Sequence, residues 1–129
     1  MADDQQKKRL LVIEDEIFLR DLYVEILIDE GYSVDSAADG EEGLQKIQQG
    51  GYDLILLDIV LPKLDGIEIL KEIKKNPPKM ANGAIVMLTN LGQEAVISEG
   101  VSLGIRGHII KSDYTPDQLI TEVKHILSA

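Results

Sequence analysis

Five polar side chains stand at or just after the ends of short apolar runs in the sequence. They are Glu14, Asp15, Asp58, Thr89 and Lys111. Two carboxylates about 4 Å apart repel each other by on the order of 4 kcal/mol at an effective dielectric constant of about 20, and one lysine cannot offset the repulsion among three. A divalent cation bound among the carboxylates would remove this repulsion. Oxygen ligands without cysteine favour Mg²⁺, with Mn²⁺ or Ca²⁺ as substitutes. A cation beside a lysine binds phosphate, so a carboxylate there can act as a nucleophile and become an aspartyl phosphate.

The order of the predicted elements brings these side chains together. The sequence predicts strands at 10–13, 33–38, 53–58, 84–89 and 107–110, and helices at about 17–30, 40–49, 66–75, 93–103 and 116–127. Strand and helix alternate in a (βα)5 pattern, which predicts an α/β fold with a parallel sheet between two layers of helices. The carboxyl ends of parallel strands lie at one edge of the sheet, where ligands bind. The five polar side chains are therefore expected at that edge.

The predicted first helix carries apolar side chains at helical spacing. Phe18, Leu22 and Ile26 form a stripe that we assign to the core. The acidic pair Glu14-Asp15 comes just before this helix, so Asp15 is a candidate helix cap as well as a candidate metal ligand.

The composition limits the class of protein. With 129 residues and 44% hydrophobic residues, the chain fits one domain, expected at 9–129 after a flexible polar tail at 1–8. Its 13 basic and 23 acidic residues give a net charge of −10, which argues against direct binding to nucleic acid. Cysteine is absent, which fits a reducing compartment. Because no signal peptide or membrane-length apolar run is present, we expect a cytoplasmic protein without membrane binding.

Four segments together, in this order, resemble the receiver domain of two-component response regulators. They are VIEDE (12–16), LILLDIVLPKLDG (54–66), IVMLTN (85–90) and GIRGHIIKS (104–112). The resemblance covers nearly the whole chain and implies a flavodoxin-like three-layer sandwich whose five-stranded parallel sheet has the order 2-1-3-4-5. It also implies Mg²⁺-dependent phosphorylation by a phosphohistidine donor, either a sensor histidine kinase or a histidine phosphotransfer protein. The chain would then be a phosphoprotein switch rather than a conventional enzyme.

The resemblance also assigns roles by position in these motifs. Asp58 corresponds to the phosphoacceptor, and Lys111 to the lysine that pairs with the phosphoryl group. Glu14 and Asp15 correspond to the acidic pair that holds Mg²⁺ together with Asp58, and the backbone carbonyl of Val60 is implied as a further metal ligand. Since Val60 itself is apolar and cannot position a water molecule, slow autodephosphorylation is expected.

Two positions are implied to carry the signal away from the site. The Thr89 hydroxyl would move to contact the phosphoryl group, and His108 stands where the family often has a switch tyrosine or phenylalanine. The face formed by the fourth helix, fifth strand and fifth helix would then change and bind a downstream protein target. Dimerisation through this face is left open, as is the question whether the chain is part of a longer regulator.

Departures from the family pattern keep a second function open. Ser112 follows the lysine where the family usually has proline, often after a cis bond, and Asn90 follows the threonine where a small residue is usual. With His108, these residues leave a pseudo-receiver as the alternative, a protein-interaction module that works without phosphorylation. A flavodoxin-type nucleotide binder is disfavoured, because the first strand is followed by Glu14-Asp15-Glu16 rather than a glycine-rich phosphate loop.

Overall fold

The computed structural model describes residues 7–128, and five strands in this range form one sheet. The strands are β1 (Arg9–Ile13), β2 (Ser33–Ala37), β3 (Leu54–Asp58), β4 (Ala84–Thr89) and β5 (Gly107–Ile110). Every neighbouring pair is parallel, and the order is β2-β1-β3-β4-β5. The strand order implied by the resemblance is therefore confirmed. Most of the predicted tail at 1–8 lies outside the described residues.

Within residues 7–128, four α-helices connect successive strands and a fifth follows β5. They are α1 (Ile17–Asp29), α2 (Gly40–Gln49), α3 (Gly66–Lys75), α4 (Glu94–Ser102) and α5 (Pro116–Ser128). Asp39 caps α2 by accepting a hydrogen bond from the Glu42 N–H, and Asp65 and Glu68 form a reciprocal capping box on α3. None of the helices within residues 7–128 is long and apolar enough to cross a membrane.

The buried side chains form two clusters, one on each face of the sheet. Neighbouring residues of a strand point to opposite faces, so Leu54 and Leu56 join the cluster beneath α1 and α5. Ile55 and Leu57 join the cluster beneath α2, α3 and α4. Since all five residues of β3 are buried, this strand is covered on both faces, as expected of a central parallel strand. The three-layer, flavodoxin-like α/β sandwich is confirmed.

The assignment of the Phe18, Leu22 and Ile26 stripe to the core was wrong for Phe18 and Leu22, whereas the partly buried Ile26 packs against the cluster beneath α1 and α5. Phe18 is 80% exposed and Leu22 is 37% exposed, while Tyr23 and Leu27 supply the buried face of α1. Apolar residues occupy two adjacent faces of this helix, and a spacing of four residues describes both faces equally well. The pattern could identify the helix but not its orientation on the sheet.

The cap of α1 also differs from the expectation. The Leu19 N–H donates to the Glu16 carboxylate at 3.0 Å, so Glu16 is the N-cap rather than Asp15. Asp15 is therefore not needed to start the helix, and its exposed carboxylate is left at the edge of the sheet.

Candidate functional site

At the carboxyl edge of the sheet, three of the predicted side chains are linked because one ammonium group contacts two carboxylates. Glu14 follows β1 and Asp58 ends β3, while Lys111 comes directly after β5. The Lys111 Nζ lies 2.8 Å from Glu14 Oε1 and 2.9 Å from Asp58 Oδ2. Because β1 and β3 are neighbours in the sheet, the two carboxylates are close enough for one lysine to bridge them. Asp58 thus has a counter-charge within the protein.

All three side chains of this bridge are largely withdrawn from water. The Glu14 side chain is fully buried, and the side chains of Asp58 and Lys111 are 5% and 13% exposed. Burial raises the pKa of Glu14, and the nearby charge of Asp58 raises it further, against the hydrogen bond from Lys111. Burial acts to lower the pKa of Lys111, but its bonds to the two carboxylates outweigh this, so the pKa is raised. The lysine therefore remains an ammonium.

The acidic side chains form a cluster that fits a hard divalent cation. One carboxylate oxygen from each of Glu14, Asp15 and Asp58 lies within 4.8 Å of the others. With Lys111, the four side chains carry three negative charges and one positive charge, which leaves two negative charges in excess. A set of three carboxylate oxygens suits Mg²⁺, which keeps several water ligands. The chemistry of this donor set agrees with the predicted metal site.

Val60 lies next to the cluster. Its N–H donates to Asp58 Oδ1 at 3.3 Å, and its side chain is 59% exposed. The hydrogen bond ties the start of the loop after β3 to the predicted phosphoacceptor. Metal binding by the Val60 carbonyl remains a prediction.

Thr89 and His108 lie on neighbouring strands in different surroundings. Thr89 ends β4 and is 1% exposed, and its hydroxyl donates to the Ile109 carbonyl at 3.4 Å. His108 lies on β5 with its side chain exposed. Their roles in switching remain predictions.

Asn90 and Ser112, the two loop residues that depart from the family pattern, have ordinary local geometry. The Asn90 N–H donates to the Gln93 side chain at 2.7 Å, which closes the loop after β4. The peptide bond between Lys111 and Ser112 is trans, so the family's frequent cis bond is not reproduced here. Lys111 and Ser112 instead begin a short 3-10 turn that ends at Asp113.

Arg20 was not among the residues predicted for the site. Its guanidinium donates to the backbone carbonyl of Glu14 at 2.9 Å and to that of Asp15 at 3.4 Å. The arginine therefore holds the segment that presents the acidic pair. Its position in α1, about one turn after that pair, was the only signal, and an exposed helical arginine would have the same spacing.

Comparison with known proteins gives the same picture as the geometry. The chain is similar to the transcriptional regulatory protein ResD of Bacillus subtilis (strain 168), with 36% identity over 97% of this chain and 50% of that protein. It is similar to the chemotaxis protein CheY of Thermotoga maritima, with 29% identity over 92% of this chain and 97% of that one. The chain spans about half the length of the first curated relatives it matches.

Solved structures and a family model extend the comparison. A receiver domain protein (CheY-like) from Methanospirillum hungatei JF-1 superposes with a TM-score of 0.83 at 32% identity, over 95% of both chains. The model of the response regulator receiver domain matches residues 10–124, which is most of the chain. The match includes every element from β1 to most of α5. The chain therefore belongs to the response regulator receiver domain family.

Proposed function

We propose that this chain accepts a phosphoryl group on Asp58 from a phosphohistidine donor in a Mg²⁺-dependent reaction, with residues 9–129 as the functional unit. The observation that carries the proposal is the Lys111 ammonium, which is bonded to both Glu14 and Asp58 at the open edge of the sheet. The acidic cluster completed by Asp15 supplies hard ligands for the metal, with Mn²⁺ or Ca²⁺ as substitutes.

The proposed chemistry is an in-line phosphoryl transfer. A carboxylate oxygen of Asp58 attacks phosphorus, the bond from phosphorus to the donor's imidazole nitrogen breaks, and its electron pair stays with the imidazole. Lys111 lies within hydrogen-bond distance of Asp58 and can stabilise charge on the phosphoryl oxygens. Bound Mg²⁺ supplies positive charge that balances the carboxylates and the incoming phosphoryl group.

Thr89 is the proposed first reporter of phosphorylation. Its hydroxyl bond to the Ile109 carbonyl is 3.4 Å long, whereas good O–H···O bonds are about 2.7 Å. Exchanging this weak hydrogen bond for one to a phosphoryl oxygen therefore costs little free energy. Movement of Thr89 with inward rotation of His108 would shift the face formed by α4, β5 and α5 toward the state that binds a downstream protein.

An exposed apolar patch beside the site supports docking of a protein donor. We define this α1 patch as Ile17, Phe18 and Leu22, which are 53%, 80% and 37% exposed. Exposed aromatic side chains are common anchors of protein interfaces. Since the patch begins two residues after Asp15, a sensor kinase or phosphotransfer protein seated on it would bring its phosphohistidine to the acidic edge. Together with the absence of cysteine, such a donor agrees with a cytoplasmic location.

The direct test is the intact mass of the chain after incubation with Mg²⁺ and acetyl phosphate. We expect one added phosphoryl group, lost with EDTA and in Asp58→Asn. Asp53→Asn is the matched control, because Asp53 lies just before the same strand but at its other end, and this variant should be labelled normally. If no adduct forms, even with a competent kinase, the proposal fails and the pseudo-receiver alternative replaces it.

The α1 patch can be tested separately from the chemistry. Phe18→Ser should slow phosphotransfer from a protein donor about fivefold or more, because aromatic anchors often contribute over 1 kcal/mol to binding. Labelling by acetyl phosphate should be unchanged, since this small molecule does not need the patch. Equal rates from the protein donor for both chains would exclude docking through Phe18.

Slow loss of the phosphoryl group is proposed from the residue beside Asp58. Val60 presents an exposed apolar side chain that cannot hydrogen-bond an attacking water molecule. Val60→Gln should therefore shorten the lifetime of the adduct, measured by mass after removal of donor. An unchanged lifetime would show that Val60 does not control hydrolysis.

A further inference from the structure

The loop after β3 has unusual backbone geometry at Lys63. Its φ is +71°, and it is the one residue other than glycine with a positive φ between residues 7 and 128. The Leu64 N–H donates to the Pro62 carbonyl at 2.8 Å across Lys63, which makes a γ-turn of the rare form with positive central φ. Such a turn is strained and persists only where its surroundings hold it.

The surroundings that hold this turn are at the start of α2. The Gly40 N–H donates to the Pro62 carbonyl at 3.1 Å. A Cβ on Gly40 would lie only 1.6 Å from the Leu64 carbonyl oxygen, so the loop rests directly on the glycine backbone. The Lys63 ammonium lies 3.5 Å from Asp39 Oδ2 and 3.8 Å from Glu41 Oε1, one on each side of Gly40.

The same loop is also fixed at its ends, close to the acidic cluster. The Gly66 N–H donates to the Ile59 carbonyl at 2.8 Å, and a Cβ on Gly66 would lie 2.8 Å from the Asp58 carbonyl oxygen. Val60 therefore lies in a segment fixed near Ile59 and Gly66, and fixed again at Lys63 by α2. A change at either attachment would move the Val60 carbonyl relative to Asp58.

We propose that Lys63 is a positioning residue for the metal site, an inference that rests on the proposed binding of Mg²⁺ with the Val60 carbonyl as one of its ligands. Its ammonium binds the loop to Asp39 and Glu41 and so keeps the strained turn in the form that presents the Val60 carbonyl. Glycine would adopt the positive φ with less strain but could not form the ion pairs. The role of Lys63 thus depends on a positive charge at the end of a side chain long enough to reach Asp39 and Glu41.

An electrostatic role and a positioning role of Lys63 predict opposite changes in Mg²⁺ affinity when this lysine is removed. If Lys63 acted only through its charge, removing it would make the site more negative and would tighten Mg²⁺ binding. If it positions the loop, removing it allows the Val60 carbonyl to move and weakens Mg²⁺ binding. The direction of the change in affinity therefore separates the two roles.

The experiment is calorimetric titration of the full chain with Mg²⁺. Lys63→Ala should weaken binding about tenfold, the lower end of what removal of a group that orients a metal ligand usually costs. Lys63→Arg should remain within about twofold of the unmodified chain, because a guanidinium can bridge the same carboxylates. Lys71→Ala is the matched control, since Lys71 is as exposed as Lys63 and has a similar ion pair to Glu99.

A second variant separates positioning from a general loss of stability. Lys63→Gly relieves the strain of the turn, so its unfolding temperature in EDTA should not fall, whereas its affinity for Mg²⁺ should fall like that of Lys63→Ala. Equal or tighter binding by Lys63→Ala would overturn the inference, and so would equal weakening in Lys71→Ala. If the unmodified chain bound no Mg²⁺, the proposed metal site would fail and this inference with it.

Discussion

Two networks of charged side chains lie toward opposite ends of the sheet, and they differ in burial. At the carboxyl edge, Lys111 bridges Glu14 and Asp58, and none of these side chains is more than 13% exposed. Toward the amino end, Arg9 lies 3.6 Å from Asp35, and their side chains are 46% and 48% exposed. Water solvates the second network, whereas the first must be balanced by the protein or by a ligand.

The charged side chains of the exposed network also have further partners within the protein. The Tyr52 hydroxyl donates to Asp35 at 2.8 Å, and the Arg9 guanidinium lies 4.5 Å from the centre of the Tyr52 ring. The Arg9 N–H donates to Asp53 at 2.8 Å. Each network has one carboxylate more than it has cations, but water solvates the excess charge of the exposed network, whereas that of the buried network lies among side chains withdrawn from water. The comparison indicates that burial with uncompensated charge, rather than the number of ion pairs, separates a binding site from a structural network.

The largest effect should follow from removing the lysine of the buried network. Lys111→Met leaves Glu14 and Asp58 buried without their counter-charge, which should lower the free energy of unfolding in EDTA by about 3 kcal/mol. Urea unfolding measures this change. In the control Lys124→Met, the exposed pair with Glu30 is lost, and a much smaller decrease is expected. Similar decreases in both variants would remove the distinction between the two kinds of network.

The buried network was largely predictable from sequence because strands position it. Asp58 ends a run of apolar residues, and Glu14 and Lys111 follow two others. The backbone of a parallel strand fixes where its last side chain lies, so the type of residue at each strand end was sufficient. The same rule placed Thr89 at the end of β4, but it could not specify the hydroxyl's partner.

Other features depend on contacts that form only in the folded chain and were not predictable. Arg20 and Lys63 act through backbone carbonyls and carboxylates that only the folded chain brings near them. The predicted orientation of α1 was also partly wrong, because its apolar residues cover two faces and Phe18 is on the exposed one. Local spacing determines the type of element, whereas packing decides which face is buried.

Mg²⁺ should stabilise the chain through the buried network. At a concentration one hundred times the dissociation constant, one bound ion should raise the free energy of unfolding by about 2.7 kcal/mol. Asp15→Asn should lose most of this increase, since it removes one of the three clustered carboxylates. The matched control is Asp21→Asn, an exposed aspartate on α1 outside the cluster, which should respond like the unmodified chain. Equal stabilisation of both variants would contradict a metal site at Asp15.

Alkaline pH should remove the contribution that Tyr52, which binds Asp35 of the exposed network, makes to the free energy of unfolding. Burial, followed by the hydrogen bond to Asp35, raises the pKa of Tyr52 to about 12. Tyrosine in the unfolded chain ionises near pH 10, so the contribution of Tyr52 is fully present below that pH and is lost as the pH rises toward 12. The expected loss is about 2 kcal/mol, since each pKa unit corresponds to about 1.4 kcal/mol and water screens the part of the shift that comes from the half-exposed Asp35. Urea unfolding of Tyr52→Phe between pH 9 and 11.5 should give a shallower decline than the unmodified chain, and parallel declines would contradict the raised pKa.

The smallest effect should follow from removing the cation of the exposed network. Arg9→Met keeps an apolar stem that can pack against Tyr52 but loses the ion pair with Asp35, so the free energy of unfolding should fall by about 1 kcal/mol or less. Lys79→Met is the control for the change in net charge, because no ion pair of Lys79 is found among the described residues. A loss as large as that of Lys111→Met would mean that the exposed network carries as much energy as the buried one. Burial would then no longer explain why the carboxyl edge, and not the amino end, needs a ligand.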